Sequence, residues 1–117
     1  MAAQRRALRK RLLDYALAMP EAYIDHPWGE DVAKVGKKVF VFFGTGNGDF
    51  GMGVKLPESA PLALAQTGVQ PSGYGLGASG WVNVDFGEAT LPEAMLRDWI
   101  RESYRAIAPK KLSATLR

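Results

Sequence analysis

Between Phe50 and Leu56 every second residue is large and apolar. Phe50, Met52, Val54 and Leu56 fall on one side of an extended chain, and Gly51, Gly53 and Lys55 on the other. Trp81 to Phe86 repeats the pattern, with Val82, Val84 and Phe86 opposed to Trp81, Asn83 and Asp85. Two strands are predicted, each with a core face and an open face. The unbroken apolar run from Val39 to Phe43 suits a central strand over Lys38–Phe43. Asp31 to Val35 alternates and joins it through a tight turn at Gly36–Lys37. Ala22 to Trp28 reads as a first short strand.

A different period appears at the two ends. Leu8, Leu12, Tyr15 and Met19 form an apolar stripe that predicts a helix over 5–18, stopped by Pro20. Leu96, Ile100, Ser103 and Ile107, flanked by Trp99, predict a closing helix that ends at Pro109. Thr90 and Glu93 have the spacing of a capping box, with Pro92 in the first turn. A helix between these two is expected from Pro57–Glu58 through Gln66, ended by Gly68. Gly44 to Asp49 reads as a hairpin loop, and Gly68 to Gly80 as a mobile loop with five glycines. The order α-β-β-β-β-α-β-α predicts an α+β fold over a single domain, 1–117. Its sheet is mainly antiparallel, with helices on one face and the other open to water.

Size narrows the function. At 117 residues the chain is too short for a kinase, a dinucleotide dehydrogenase or a transporter. Without cysteine it can have no disulfide, thiolate catalyst, iron–sulfur cluster or cysteine-bound zinc. Arg5, Arg6, Arg9, Lys10 and Arg11 interrupt the region where a signal peptide would be apolar, so a cytoplasmic location is expected, with no membrane partner. Net charge is +3, but it is unevenly spread. Residues 1–18 carry +4, 19–33 carry −4, and Lys34, Lys37, Lys38 and Lys55 against Asp49 give +3 over 34–56. Residues 57–92 carry −3 and the tail +3.

Several motifs look like chemistry. Gly46 to Gly51 and Gly75 to Gly80 both match G-x-G-x-x-G, yet both run into predicted strands, where no helix N-terminus could meet a phosphate. Asp49-Phe50-Gly51 and Asp85-Phe86-Gly87 match a kinase tripeptide by chance in a glycine-rich chain. His26, the single histidine, sits near Asp25, Glu30 and Asp31 and reads as a surface histidine paired with a carboxylate. No catalytic constellation, cofactor site or metal site is expected. The open sheet face is more distinctive. Phe40, Phe42, Trp81, Asn83 and Asp85 would surround a floor of Gly51 and Gly53, with Lys55 able to meet Asp85 across strands. Glycine in a strand marks close approach by a ligand or another chain; alternatively Trp81 lies over the glycines.

Pieces in order along nearly the whole chain resemble the MmcQ/YjbR family. They are Asp14-Tyr15-Ala16-Leu17-Ala18-Met19-Pro20, His26-Pro27-Trp28-Gly29, Val35-Gly36-Lys37-Lys38-Val39-Phe40, Val54-Lys55-Leu56, Gly80-Trp81-Val82, Glu102-Ser103-Tyr104-Arg105 and Ala108-Pro109-Lys110-Lys111-Leu112. The resemblance implies a CyaY-like fold, shared with frataxin, and DNA binding through a double wing of β-hairpins. Those wings would be the Gly36–Lys37 and Gly44–Asp49 hairpins, with Lys34, Lys37, Lys38 and Lys55 on phosphates. Similar proteins have basic residues just before the tryptophan matching Trp81, whereas Gly75 to Gly80 carries no charge. Frataxin-like iron handling calls for an acidic first helix, and this one carries +4. The chain is therefore expected to be a small non-enzymatic binding protein that takes duplex DNA weakly and without sequence preference. The alternative is a protein-interaction module, with a protein partner or a second copy on the open face around Trp81.

Overall fold

A computed structural model describes residues 2–47, 50–73 and 75–116. Helix α1 (Ala2–Leu17) leads into β1 (Tyr23–Asp25), a 3₁₀ turn (Pro27–Gly29), β2 (Val32–Val35), β3 (Lys38–Phe42) and β4 (Gly51–Lys55). Then follow α2 (Ala60–Leu64), β5 (Val69–Pro71), a second 3₁₀ turn (Leu76–Ser79), β6 (Trp81–Asp85), α3 (Glu93–Ile107) and α4 (Lys110–Ser113). The strands form one sheet in the order β1-β2-β3-β4-β6-β5, and every neighbouring pair is antiparallel. Leu12 and Ala16 of α1 and Leu96, Trp99, Ile100 and Tyr104 of α3 bury one face of the sheet against Val35, Val41, Val54, Val82 and Val84. The predicted α+β layering, with one helix-covered face, is what the chain adopts.

The long apolar run hides an irregularity. Ala33 pairs with Val41 but Lys34 pairs with Val39, so Phe40 has no partner on β2. This extra residue is a β-bulge, which turns two successive side chains to the same side. Phe40 therefore points with Val41 into the core, where its ring meets Tyr104 edge-on at 5.2 Å. The expectation that Phe40 belongs to the open face is thereby corrected.

Other elements also differ from the sequence reading. The first strand is only three residues long, because Pro27 starts a 3₁₀ turn. Much of the expected mobile loop over Gly68–Gly80 has regular structure: β5 pairs with β6, and Ser72 N–H donates to the Trp81 carbonyl at 3.0 Å, while Tyr74 lies outside the described residues. Helix α2 has only five residues, and the Glu102 carboxylate takes the backbone N–H groups of Glu58 and Ser59 just before it. The capping box does not form. Pro92 holds the N-cap position, and Glu93 instead binds Arg11 of α1 and Arg97 of its own helix. Part of the expected tail forms α4; Arg117 lies outside the described residues, as do Gly48 and Asp49 of the Gly44–Asp49 loop.

Ser103 interrupts the apolar stripe of α3 and is fully buried. In the β3–β4 register, Val41 faces Val54, so Phe40 would face Lys55. The Ser103 hydroxyl stands between these two, accepting from Lys55 N–H at 2.8 Å and donating to the Phe40 carbonyl. We expect Ser103→Ala to strand both backbone groups away from water and cost about 1–3 kcal/mol. Ser103→Leu should overpack the same gap, by a further cost on the order of 1–3 kcal/mol. Urea unfolding of the two variants checks this, and unchanged midpoints would refute the close approach of α3.

Candidate partner-binding face

Register assigns the open face. Ala33, Val35, Met52, Val54, Val82 and Val84 are in the core, so the intervening residues face away from the helices. Val32, Phe42, Gly53, Asn83 and Gln70 form one row across five strands. Trp81 is on this face, as alternation requires, yet it is only 8% exposed. Its ring meets that of Phe42 at 5.3 Å, reaching across β4. The Leu76–Ser79 turn packs beside its strand. Phe42 and the Leu76–Ser79 turn thus border Trp81, which is buried within the chain's own fold.

The glycine floor is present. A Cβ on Gly51 would run into the Val84 carbonyl oxygen, and one on Gly53 would lie 3.1 Å from Asn83 Oδ1. Over this floor is an open groove of about 370 Å³, walled by Phe42 and Asn83. Among the described residues its charged lining is Glu30, Asp85 and Glu88, with no lysine or arginine. Lys55 and Asp85 do not meet across strands. Lys55 pairs with Trp81, and Asp85 with Gly51, four residues along the same strand. Asp85 instead accepts from the N–H groups of Gly87 and Glu88.

The four lysines occupy the far end of the sheet from this groove. Lys37 and Lys38 are exposed at the β2–β3 turn, Lys34 is bound to Asp25 at 3.2 Å, and Lys55 ends β4 on the same side. Lys38 pairs with Val35 and so shares the helix side, whereas Lys34 and Lys55 share the open face. The two hairpins named as wings were expected to be neighbours. They lie at opposite ends of β3, roughly 20 Å apart for an extended chain of that length.

At the groove end the sequence pattern missed a residue. Trp28 is 97% exposed and has φ +51°, ψ +36°, a left-handed conformation that costs a bulky residue about 1–3 kcal/mol. The turn around it is firmly tied. Asp31 binds His26 Nδ1 at 2.9 Å and Arg9 at 2.8 Å, and Arg9 also donates to the carbonyls of Phe43 and Gly44. Burial alone would push the Asp31 carboxyl upward, but the hydrogen bonds and charges of Arg9 and His26 outweigh it and hold its pKa below the ordinary value. His26 is thus the paired surface histidine expected. Among the described residues no three His, Cys, Asp or Glu side chains group as a metal site. Nor does either glycine motif lead into an α-helix: one runs into β4, and the other spans the Leu76–Ser79 turn before β6. Among the described residues no helix is long and apolar enough to cross a membrane.

Comparison with known proteins gives a family and a fold. The family model described as YjbR matches residues 17–106. No curated protein matches the chain. A crystal structure of a Pseudomonas syringae protein, solved as a structural-genomics target, is similar at TM-score 0.65 and 19% identity, covering 84% of this chain and 97% of that one.

Two outcomes follow from the tied turn. Trp28→Gly relieves the backbone at a site that buries almost nothing, so it should stabilise the fold by about 0.5–1 kcal/mol; loss of stability in a thermal melt would contradict the strain. The lowered pKa of Asp31 means that its contribution is full above the ordinary carboxylate range, near pH 4, and is lost as pH falls through the depressed value. Asp31→Asn should be less stable than wild type at pH 6, and the gap should close toward pH 2. Urea titrations across that range read it directly, and a constant gap would refute it.

Proposed function

Taking as premise that the chain belongs to the YjbR family, we propose that it is a non-enzymatic binding protein whose partner, another protein, occupies the open face of the sheet. The observation that carries this reading is the juxtaposition at one end of that face. A groove floored by Gly51 and Gly53 opens there, and the turn presenting the solvent-exposed Trp28 ends at Glu30 on its lining. Glycine in a strand permits close approach, and exposed tryptophan is a favoured anchor in interfaces. The single histidine braces the turn that carries Trp28 through its bond to Asp31.

Duplex DNA is the second reading, supported by the gathering of Lys34, Lys37, Lys38 and Lys55 at the other end. Phosphate contacts there would give a Kd on the order of 10⁻⁴–10⁻⁶ M at physiological salt, with affinity falling steeply as salt rises. One experiment separates the two. Random peptides displayed on phage are selected on the wild-type protein, then tested on Asn83→Phe, which places bulk beside Gly53. In parallel, a duplex is titrated into wild type and Lys37→Glu/Lys38→Glu. On the open-face reading, the selected peptides lose binding to Asn83→Phe. Peptides indifferent to that change, together with duplex binding lost on charge reversal, would transfer the function to the lysine end.

A further inference from the structure

Resting on the open-face reading, we infer that the occupant of the groove is an extended protein segment bearing arginine or lysine, with Trp28 as the aromatic contact for its cationic side chains. The groove lining presents three carboxylates, Glu30, Asp85 and Glu88, and two side-chain amides, Gln70 and Asn83, with no cation among them. The chain's own positive charge is placed elsewhere or already engaged. Arg9 is consumed by Asp31 and by the carbonyls of Phe43 and Gly44. Arg6 lies over the Phe50 ring, and Arg5 comes beside Gly87 near the Asp85 carboxylate, at the groove's margin and outside its lining. The lysines are at the far end.

The groove therefore repels phosphate and acidic peptides and attracts cations. Gly51 and Gly53 keep the floor low, with the Val84 carbonyl oxygen and the Asn83 and Phe42 side chains closing in beside them, and the groove above is open. An indole in full solvent, two residues before the groove-lining Glu30, offers the ring face that guanidinium and ammonium groups favour, while the groove's carboxylates neutralise their charge. Trp28 is held outward at the expense of backbone strain, in a turn fixed by the His26–Asp31–Arg9 network.

Two synthetic ten-residue peptides test this, one alternating arginine with threonine and one alternating glutamate with threonine. Each is titrated into the isotopically labelled protein, following the amides of Gly51, Gly53 and Asn83 and the Trp28 indole. The arginine peptide should shift these signals and the glutamate peptide should leave them unmoved. Trp28→Gly and Glu30→Gln/Glu88→Gln should each weaken the arginine peptide at least about tenfold, and the second should also flatten the salt dependence. Melting curves on both variants separate loss of binding from loss of fold. Equal shifts by both peptides, no shift by the arginine peptide, or wild-type affinity in Trp28→Gly would overturn the inference. Phage-selected peptides that are uncharged but still lose binding to Asn83→Phe would overturn the charge assignment alone. Peptides that ignore Asn83→Phe would remove the open-face reading beneath it. Shifts of the groove amides by duplex DNA would also overturn the proposal.

Discussion

One buried hydroxyl bridges the helix layer and the sheet where two strands part. Ser103 Oγ sits between the Phe40 carbonyl and the Lys55 N–H, where two neighbouring strands would otherwise bond each other. The bulge at Phe40 opens that gap, and the small side chain on α3 fills it. Both backbone groups are satisfied, so the irregularity does not carry the cost of orphaned polar groups. Everything that follows on the open face depends on it. Phe40 turns inward, Phe42 stays outward to meet Trp81, and the glycines of β4 remain uncovered.

The neighbours of Ser103 work the same way. Glu102 caps the approach to α2 through Glu58 and Ser59, and Tyr104 donates its hydroxyl to the Pro20 carbonyl at 2.7 Å, closing the end of α1. Three consecutive side chains thus tie α3 to three separate parts of the chain. Their part in the family resemblance is explained by folding. The His26-Pro27-Trp28-Gly29 segment is of another kind. His26 is spent on holding the turn, but nothing in the fold uses the Trp28 ring, and the backbone beneath it is strained.

What could be read from the sequence was whatever a strict period encodes. The alternation at Phe50–Leu56 and Trp81–Phe86 correctly assigned both faces of the two strands, including the glycine floor and the outward direction of Trp81. The stripe of Leu96, Ile100 and Ser103 placed α3. The failures occur where periodicity is silent. In Val39–Phe43 every residue is apolar, so a bulge leaves no mark on the pattern. Strand β5 contributes only Val69 to the core, and glycines obscure it. The left-handed turn at Trp28 has no propensity signal, because tryptophan is not a residue that favours that conformation. Burial of Trp81 was undetermined because its cover comes from a segment that looked unstructured. The threonine and glutamate of the apparent capping box have the right spacing, but Arg11 and Arg97 compete for Glu93.

The two outermost strands, β1 and β5, are only three residues long, and prolines bracket them: Pro20 and Pro27 around the first, Pro71 at the end of the second. A proline offers no N–H, and a three-residue ladder is too short to template another strand for any distance. The sheet is therefore blunted against growth at its margins. Polymerisation of copies into a continuous ribbon is disfavoured by the same geometry that leaves the flat surface free, and recognition by this molecule is directed across its strands rather than along them.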